Sequence, residues 1–182
     1  MSKAIGMAEY QTVSTGIEAA DLMVKTAEVD VIEAQVVCPG KYIIIITGEL
    51  SAVKASVDAA SSKFGTKQID SFVLGNPDES IFPAIYGVNE IENKKALGVL
   101  ETYSCAAMIV AADTAAKTAD VQLIEMRLAR GMCGKSYMLI TGEVAAIKAA
   151  IERAEVAAGD KGMFLDSSVI ANPDDKLWET VM

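Results

Sequence analysis

Ala4-Ile5-Gly6-Met7 recurs in kind as Ala96-Leu97-Gly98-Val99, an offset of 92 positions. The same offset carries Ala20-Asp21 onto Ala112-Asp113, Lys25-Thr26-Ala27 onto Lys117-Thr118-Ala119, and Ile32-Glu33 onto Ile124-Glu125. Thr47-Gly48-Glu49 then returns as Thr141-Gly142-Glu143, an offset of 94. Asp70-Ser71 and Asn76-Pro77-Asp78 return as Asp166-Ser167 and Asn172-Pro173-Asp174, an offset of 96. Matches that keep their order over the whole chain mark a tandem duplication. The two steps in the offset place small insertions in the second copy, near Arg130–Gly134 and near Gly159–Gly162.

Each copy reads alike. Residues 3–10 alternate in polarity and predict a strand. Ser14 is a candidate N-cap for a helix over Thr15–Thr26, whose apolar face would be Ile17, Ala20, Leu22 and Val24. Val29–Val37 is rich in β-branched residues and predicts a second strand. Cys38-Pro39-Gly40 is a turn. Tyr42–Thr47 is a continuous apolar run, as a buried strand requires. Leu50–Phe64 is helical, with Val53 and Val57 on one face. Gln68–Leu74 is a fourth strand, and a short helix follows Asn76-Pro77. The order β-α-β-β-α-β plus a terminal helix predicts an α/β chain of the α+β, ferredoxin-like class, with helices on an antiparallel sheet. The domains are expected at residues 1–90 and 94–182, joined by a charged linker over Gly87–Lys95.

Composition narrows the function. Hydrophobic residues make up 52 %, enough for a packed core with apolar surface left over for burial between subunits. Aromatics are only 5 %, so that core is aliphatic. The net charge of −9 would repel a phosphate backbone, which argues against nucleic acid as a partner. With no histidine, the commonest general base and the commonest zinc ligand are both missing. No apolar run is long enough to span a bilayer, and MSKAIGMAEY has no signal-like apolar region, so a cytosolic protein without membrane contact is expected. Three cysteines in a reducing compartment are expected to be free thiols.

The candidate residues each have a plain structural reading. Cys38 ends a strand, where a free cysteine serves as a small hydrophobe. Cys133, in Arg130-Gly131-Met132-Cys133-Gly134, belongs to the second copy's version of that turn. Cys105 begins a helix beside Ala106 and Ala107 and is expected to be packing. No glycine loop of the nucleotide-binding kinds is present in the sequence. Glu9/Glu101 and Glu33/Glu125 occur once per copy, a regularity that suits structural or interface residues better than catalytic acids. Lys41 and Lys135 flank the two turns, either as solvated charges or as a positive field for anions. Trp178 aligns with Phe82 and is expected in a core or interface.

Taken together, Ala4–Met7 with Glu9, Gly16–Ala27, Pro39-Gly40-Lys41-Tyr42 and Thr47-Gly48-Glu49 resemble the bacterial microcompartment shell domain. Ala96–Glu101, Ala111–Ala119, Gly134-Lys135 and Thr141–Glu143 repeat the resemblance. Two copies with a Cys-Pro-Gly-Lys turn are similar to the tandem-domain shell proteins of propanediol-utilisation compartments. The resemblance implies a homotrimer with pseudo-sixfold symmetry that tiles with other shell proteins, and a central pore lined by Cys38, Pro39, Gly40, Lys41, Met132, Cys133, Gly134 and Lys135. It implies edge contacts through Lys25 and Lys117. It also implies one [4Fe-4S] cluster per trimer on the threefold axis, held by Cys38, with Cys133 the second candidate, and a redox enzyme or flavoprotein as a further partner. The family's arginine after the last strand is missing at Asn76-Pro77-Asp78-Glu79 and at Asn172-Pro173-Asp174-Asp175.

Three readings follow. One is a shell protein with a cluster in its pore, for electron transfer or cluster delivery. The second is a shell protein whose unmetallated pore passes small molecules. The third is a small-molecule-binding regulatory trimer without a shell. An enzyme comes last, since the sequence offers no histidine and no evident nucleophile–base pair.

Overall fold

The computed structural model describes residues 4–89, 91 and 94–181. Lys3 of the first predicted strand and Glu90, Glu92 and Asn93 of the expected linker lie outside them. The chain forms two compact units. Unit one runs to Pro77 and also takes in Ser104–Ala106 and Ala129–Lys135. Unit two comprises Asp78–Tyr103, Ala107–Leu128 and the chain from Ser136 onward.

Unit one contains β1 (Ala4–Tyr10), α1 (Val13–Thr26), β2 (Val29–Val37), β3 (Lys41–Gly48), α2 (Leu50–Phe64) and β4 (Gln68–Leu74). Its antiparallel sheet has the order β2-β3-β1-β4. The continuous run Ile43–Ile46 fills β3, and all four side chains are buried, as a strand covered on both faces requires. Ile44 and Ile46 join Ala8, Tyr10, Met23, Val53, Val57 and Ala60 in one core. Burying such an aliphatic side chain stabilises the fold by about 1.5–3 kcal/mol. The Val53/Val57 face of α2 therefore packs as its spacing requires.

The reading of α1 needs correction. The helix starts at Val13 with Thr12 at its N-cap position, and Ser14 lies inside the first turn. Its buried residues are Thr15, Gly16, Ala19 and Met23, while Ile17 and Val24 are exposed. The cause is a close approach. A β-carbon on Gly16 would lie 2.4 Å from Tyr42 Cβ, so only glycine fits where this end of the helix meets Tyr42. Ile17 and Val24 are turned outward, while Ala20 of the expected face packs partly against the core and Met23 is buried in it.

Unit two contains α3 (Ile81–Ile85), β5 (Ala96–Thr102), most of α4 (Cys105–Thr118), β6 (Val121–Leu128), β7 (Ser136–Gly142), α5 (Val144–Gly159), β8 (Phe164–Ile170) and α6 (Asp175–Val181). The sheet repeats the first topology as β6-β7-β5-β8. α5 packs on β5 and β8, and α3 packs on β6. Trp178 of α6 is buried with Leu97, Ile124 and Leu139. The duplication reaches local detail: pairing shifts between Val31 and Glu33 in β2 and between Leu123 and Glu125 in β6. An irregularity of this kind re-aims the next side chain, here the repeated glutamate. Among the described residues no helix is long and apolar enough to cross a membrane.

Candidate functional site

The turn Cys38–Gly40 joins β2 to β3, closed by the Gly40 N–H donating to the Val37 carbonyl at 2.8 Å. The Cys38–Pro39 peptide is cis. The thiol of Cys38 is half-buried, Cys133 is exposed and Cys105 is buried, as expected for a packing residue. The segment Ala129–Lys135, which carries Met132, Cys133, Gly134 and Lys135, belongs to the same compact unit as the Cys38 turn.

Three polar links tie this segment to the first sheet. The Cys38 N–H donates to the Ala129 carbonyl at 3.2 Å. The Lys41 ammonium donates to the Gly134 carbonyl at 3.2 Å. The Arg130 guanidinium pairs with Glu33. Sequence reasoning missed all three, since the partners lie more than 90 positions apart and no local pattern couples them. Within the segment, the Lys135 N–H returns to the Met132 carbonyl at 3.1 Å. Gly134 has φ +88°, and a β-carbon there would come within 2.9 Å of Lys41 Cε and 3.2 Å of Pro39 Cδ. Both conformation and space reserve the position for glycine.

Lys41 is neither a loose surface charge nor an unpaired source of positive field. Its ammonium lies 3.0 Å from Glu9 Oε1, with the Glu9 side chain wholly buried and Lys41 17 % exposed. The second Glu9 oxygen accepts the Cys105 N–H at 3.0 Å. Burial pushes the Glu9 carboxyl above its ordinary value, and the nearby Asp70 adds to this, while Lys41 and the Cys105 N–H work against it. Glu9 is thus structural. Glu125 is held by Arg127 at 2.8 Å and by the Tyr137 hydroxyl at 2.9 Å.

The two expected edge lysines differ. Lys25 pairs with Asp21 at 2.7 Å, both largely exposed. Lys117 pairs with Asp113 at 2.7 Å, but Asp113 is buried and also accepts the Asp78 N–H at 2.8 Å.

Among the described residues of a single chain, no three or more Cys, Asp or Glu side chains are grouped to hold a metal ion. The donor set at the turn is one half-buried thiol, Cys38, with an exposed thiol at Cys133. Thiolate is the ligand type that iron–sulfur clusters take.

Residues 4–77 and 96–173 each match the family described as the BMC domain. The bacterial microcompartment shell protein PduT of Citrobacter freundii is 37 % identical over the whole of this chain and 99 % of its own length. The carboxysome assembly protein CcmO of Synechococcus elongatus is 26 % identical over 98 % of this chain and 68 % of its own. A crystal structure of a microcompartment protein from Desulfitobacterium hafniense superposes with a TM-score of 0.87 at 42 % identity, covering 98 % of this chain and 99 % of that one.

Proposed function

This chain belongs to the BMC-domain family as a tandem shell protein of bacterial microcompartments, and from that premise we propose that three copies close into a pseudo-hexameric ring with the Cys38 turn at its centre. The role is structural, as in its relatives, which are shell proteins of microcompartments and carboxysomes and not enzymes. In the proposed ring, the repeats at residues 1–90 and 94–182 occupy alternating positions. Lys25 and Lys117 face neighbouring shell proteins across the rim.

At the centre, Cys38 from each copy holds one [4Fe-4S] cluster on the threefold axis. When bound, the cluster supplies electron transfer across the shell to a redox enzyme or flavoprotein, or is itself delivered there. The observation that carries this reading is the half-buried Cys38 thiol, on a turn anchored through its own N–H to Ala129. Anchoring holds the backbone from which the thiol projects, and a shared ligand set needs its members held in place. Lys41 belongs to the same turn, but its charge is already matched by Glu9, so the thiol is the group left for chemistry.

The test is anaerobic purification with iron and sulfide analysis. About four irons per trimer are expected, with broad visible absorption that bleaches in air. Cys38→Ser should lose iron and colour and still elute as a trimer, whereas Cys133→Ser should keep both. Full iron in Cys38→Ser moves the site to Cys133. A colourless, iron-free wild-type trimer after anaerobic reconstitution supports an unmetallated pore for small molecules instead.

A further inference from the structure

Ser104 and Cys105, at the start of α4, belong to unit one, and carboxylates of the first sheet hold both. The Ser104 hydroxyl donates to Asp70 Oδ2 at 2.8 Å. The Cys105 N–H donates to Glu9 Oε2 at 3.0 Å. Glu9 and Asp70 are direct cross-strand partners on β1 and β4, and both are buried. Two like charges placed opposite each other on a sheet repel. Here the donors at a helix N-terminus, whose partial charge is positive, offset that repulsion together with Lys41.

The duplication supplies every part of this device a second time. The offset of 92 carries Ser104 onto Thr12 and Cys105 onto Val13, and α1 and α4 are both 14 residues long. Glu101 and Asp166 are direct cross-strand partners on β5 and β8. Asp166 Oδ1 accepts the Ser167 N–H at 2.9 Å, as Asp70 Oδ1 accepts the Ser71 N–H at 2.8 Å. The difference is exposure: Asp166 is exposed where Asp70 is buried. Thr12 is exposed too, and its side chain makes no capping bond to α1, its hydroxyl turning instead to Thr15 at 3.0 Å.

We infer that Glu101 and Asp166 of one copy grip Thr12 and Val13 at the start of α1 in a second copy of this chain, repeating between chains the bonds that Glu9 and Asp70 make to Ser104 and Cys105. Each chain presents this carboxylate pair and this helix start to different copies, so the contact is head-to-tail, the kind that forms a ring when the rotation between copies closes. The inference rests on the ring reading above and names the residues that join it.

The experiment measures trimer dissociation by sedimentation over a dilution series, for wild type, Thr12→Asp, Asp166→Lys and the combination. Aspartate is a favoured N-cap, so Thr12→Asp keeps α1 folded, and Asp166 is exposed, so its replacement leaves the core intact. Each single change should raise the dissociation constant by about tenfold or more, because it sets like charges, or a cation and a helix N-terminus, against each other. The combination restores opposite charges and should return to within about threefold of wild type. A wild-type trimer whose single variants dissociate as it does overturns the contact alone, as does a combination no tighter than the weaker single variant. A wild-type chain that stays monomeric at micromolar concentration overturns the ring reading and the contact with it.

Discussion

Lys41 Nζ lies 3.0 Å from the wholly buried carboxylate of Glu9 and 3.2 Å from the Gly134 carbonyl, so one side chain joins β1, β3 and the Ala129–Lys135 segment. Removing one partner of a buried ion pair leaves the other as an uncompensated charge. Lys41→Met should therefore lower the unfolding free energy by about 3 kcal/mol, read from denaturant midpoints. Glu9→Gln in the same chain should recover much of the loss. A double variant as unstable as the single one would show that Lys41 acts through packing and not charge.

The raised Glu9 carboxyl sets a pH dependence. Its folded form holds a proton at pH values where the unfolded chain has released it. The associated stability is fully present below the ordinary glutamate value and is lost as pH rises through the raised one. Unfolding measured across that acid window should show this slope in wild type and a flatter one in Glu9→Gln. Equal slopes in the two proteins would assign the titration elsewhere.

Gly134→Ala should cost about 1–3 kcal/mol, because the left-handed backbone at φ +88° and the Lys41 side chain at 2.9 Å both oppose a β-carbon. The same change should disturb the Cys38 turn, since Pro39 lies against the same space. Thiol-labelling rates at Cys38, compared between wild type and variant, check this directly.

Trp178 and Phe82 are equivalent by repeat but not by burial. Trp178 is 2 % exposed in the core of unit two, whereas Phe82 is half-buried. Trp178→Ala should cost about 3–5 kcal/mol and Phe82→Ala clearly less, by thermal or chemical unfolding. Similar losses at the two sites would mean that Phe82 is fully covered in the assembled protein.

The edge lysines should separate in the same way. Lys25→Asp leaves an exposed Asp21 without its partner and should change stability by less than about 0.5 kcal/mol. Lys117→Asp sets an acid beside buried Asp113, which also caps the Asp78 N–H, and should destabilise measurably. Together the two changes are expected to abolish ordered sheets in electron micrographs while the trimer survives. Normal tiling in the double variant would remove both lysines from the rim.

The strand and helix order was legible in the sequence because Val29–Val37 is rich in β-branched residues, Tyr42–Thr47 is a continuous apolar run and Leu50–Phe64 carries a helical spacing. The packed face of α1 was not. Hydrophobicity pointed to Ile17 and Val24, yet Tyr42 leaves room only for glycine at position 16, and the buried residues are Thr15, Gly16, Ala19 and Met23. Side-chain volume decided the Gly16 end of that face, and volume matching is invisible until the partner strand is known. The turn at Cys38 was readable as a turn, but its union with Ala129–Lys135 was not. Those links depend on chain segments brought together by the fold, through a carbonyl, an ammonium and a guanidinium that leave no spacing signature.

The placement of α3 bears on how such a chain can evolve. By sequence this helix closes the first repeat, but Ile81, Ala84 and Ile85 are buried within unit two, where the helix packs on β6. Deleting the first repeat would strip β6 of its cover, and deleting the second would strand three apolar side chains in water. Neither half inherits a finished surface. Once the fused gene had settled into this arrangement, a return to a single-repeat protein by simple truncation was closed, and the two halves were left free to diverge in sequence while remaining bound to a common fate.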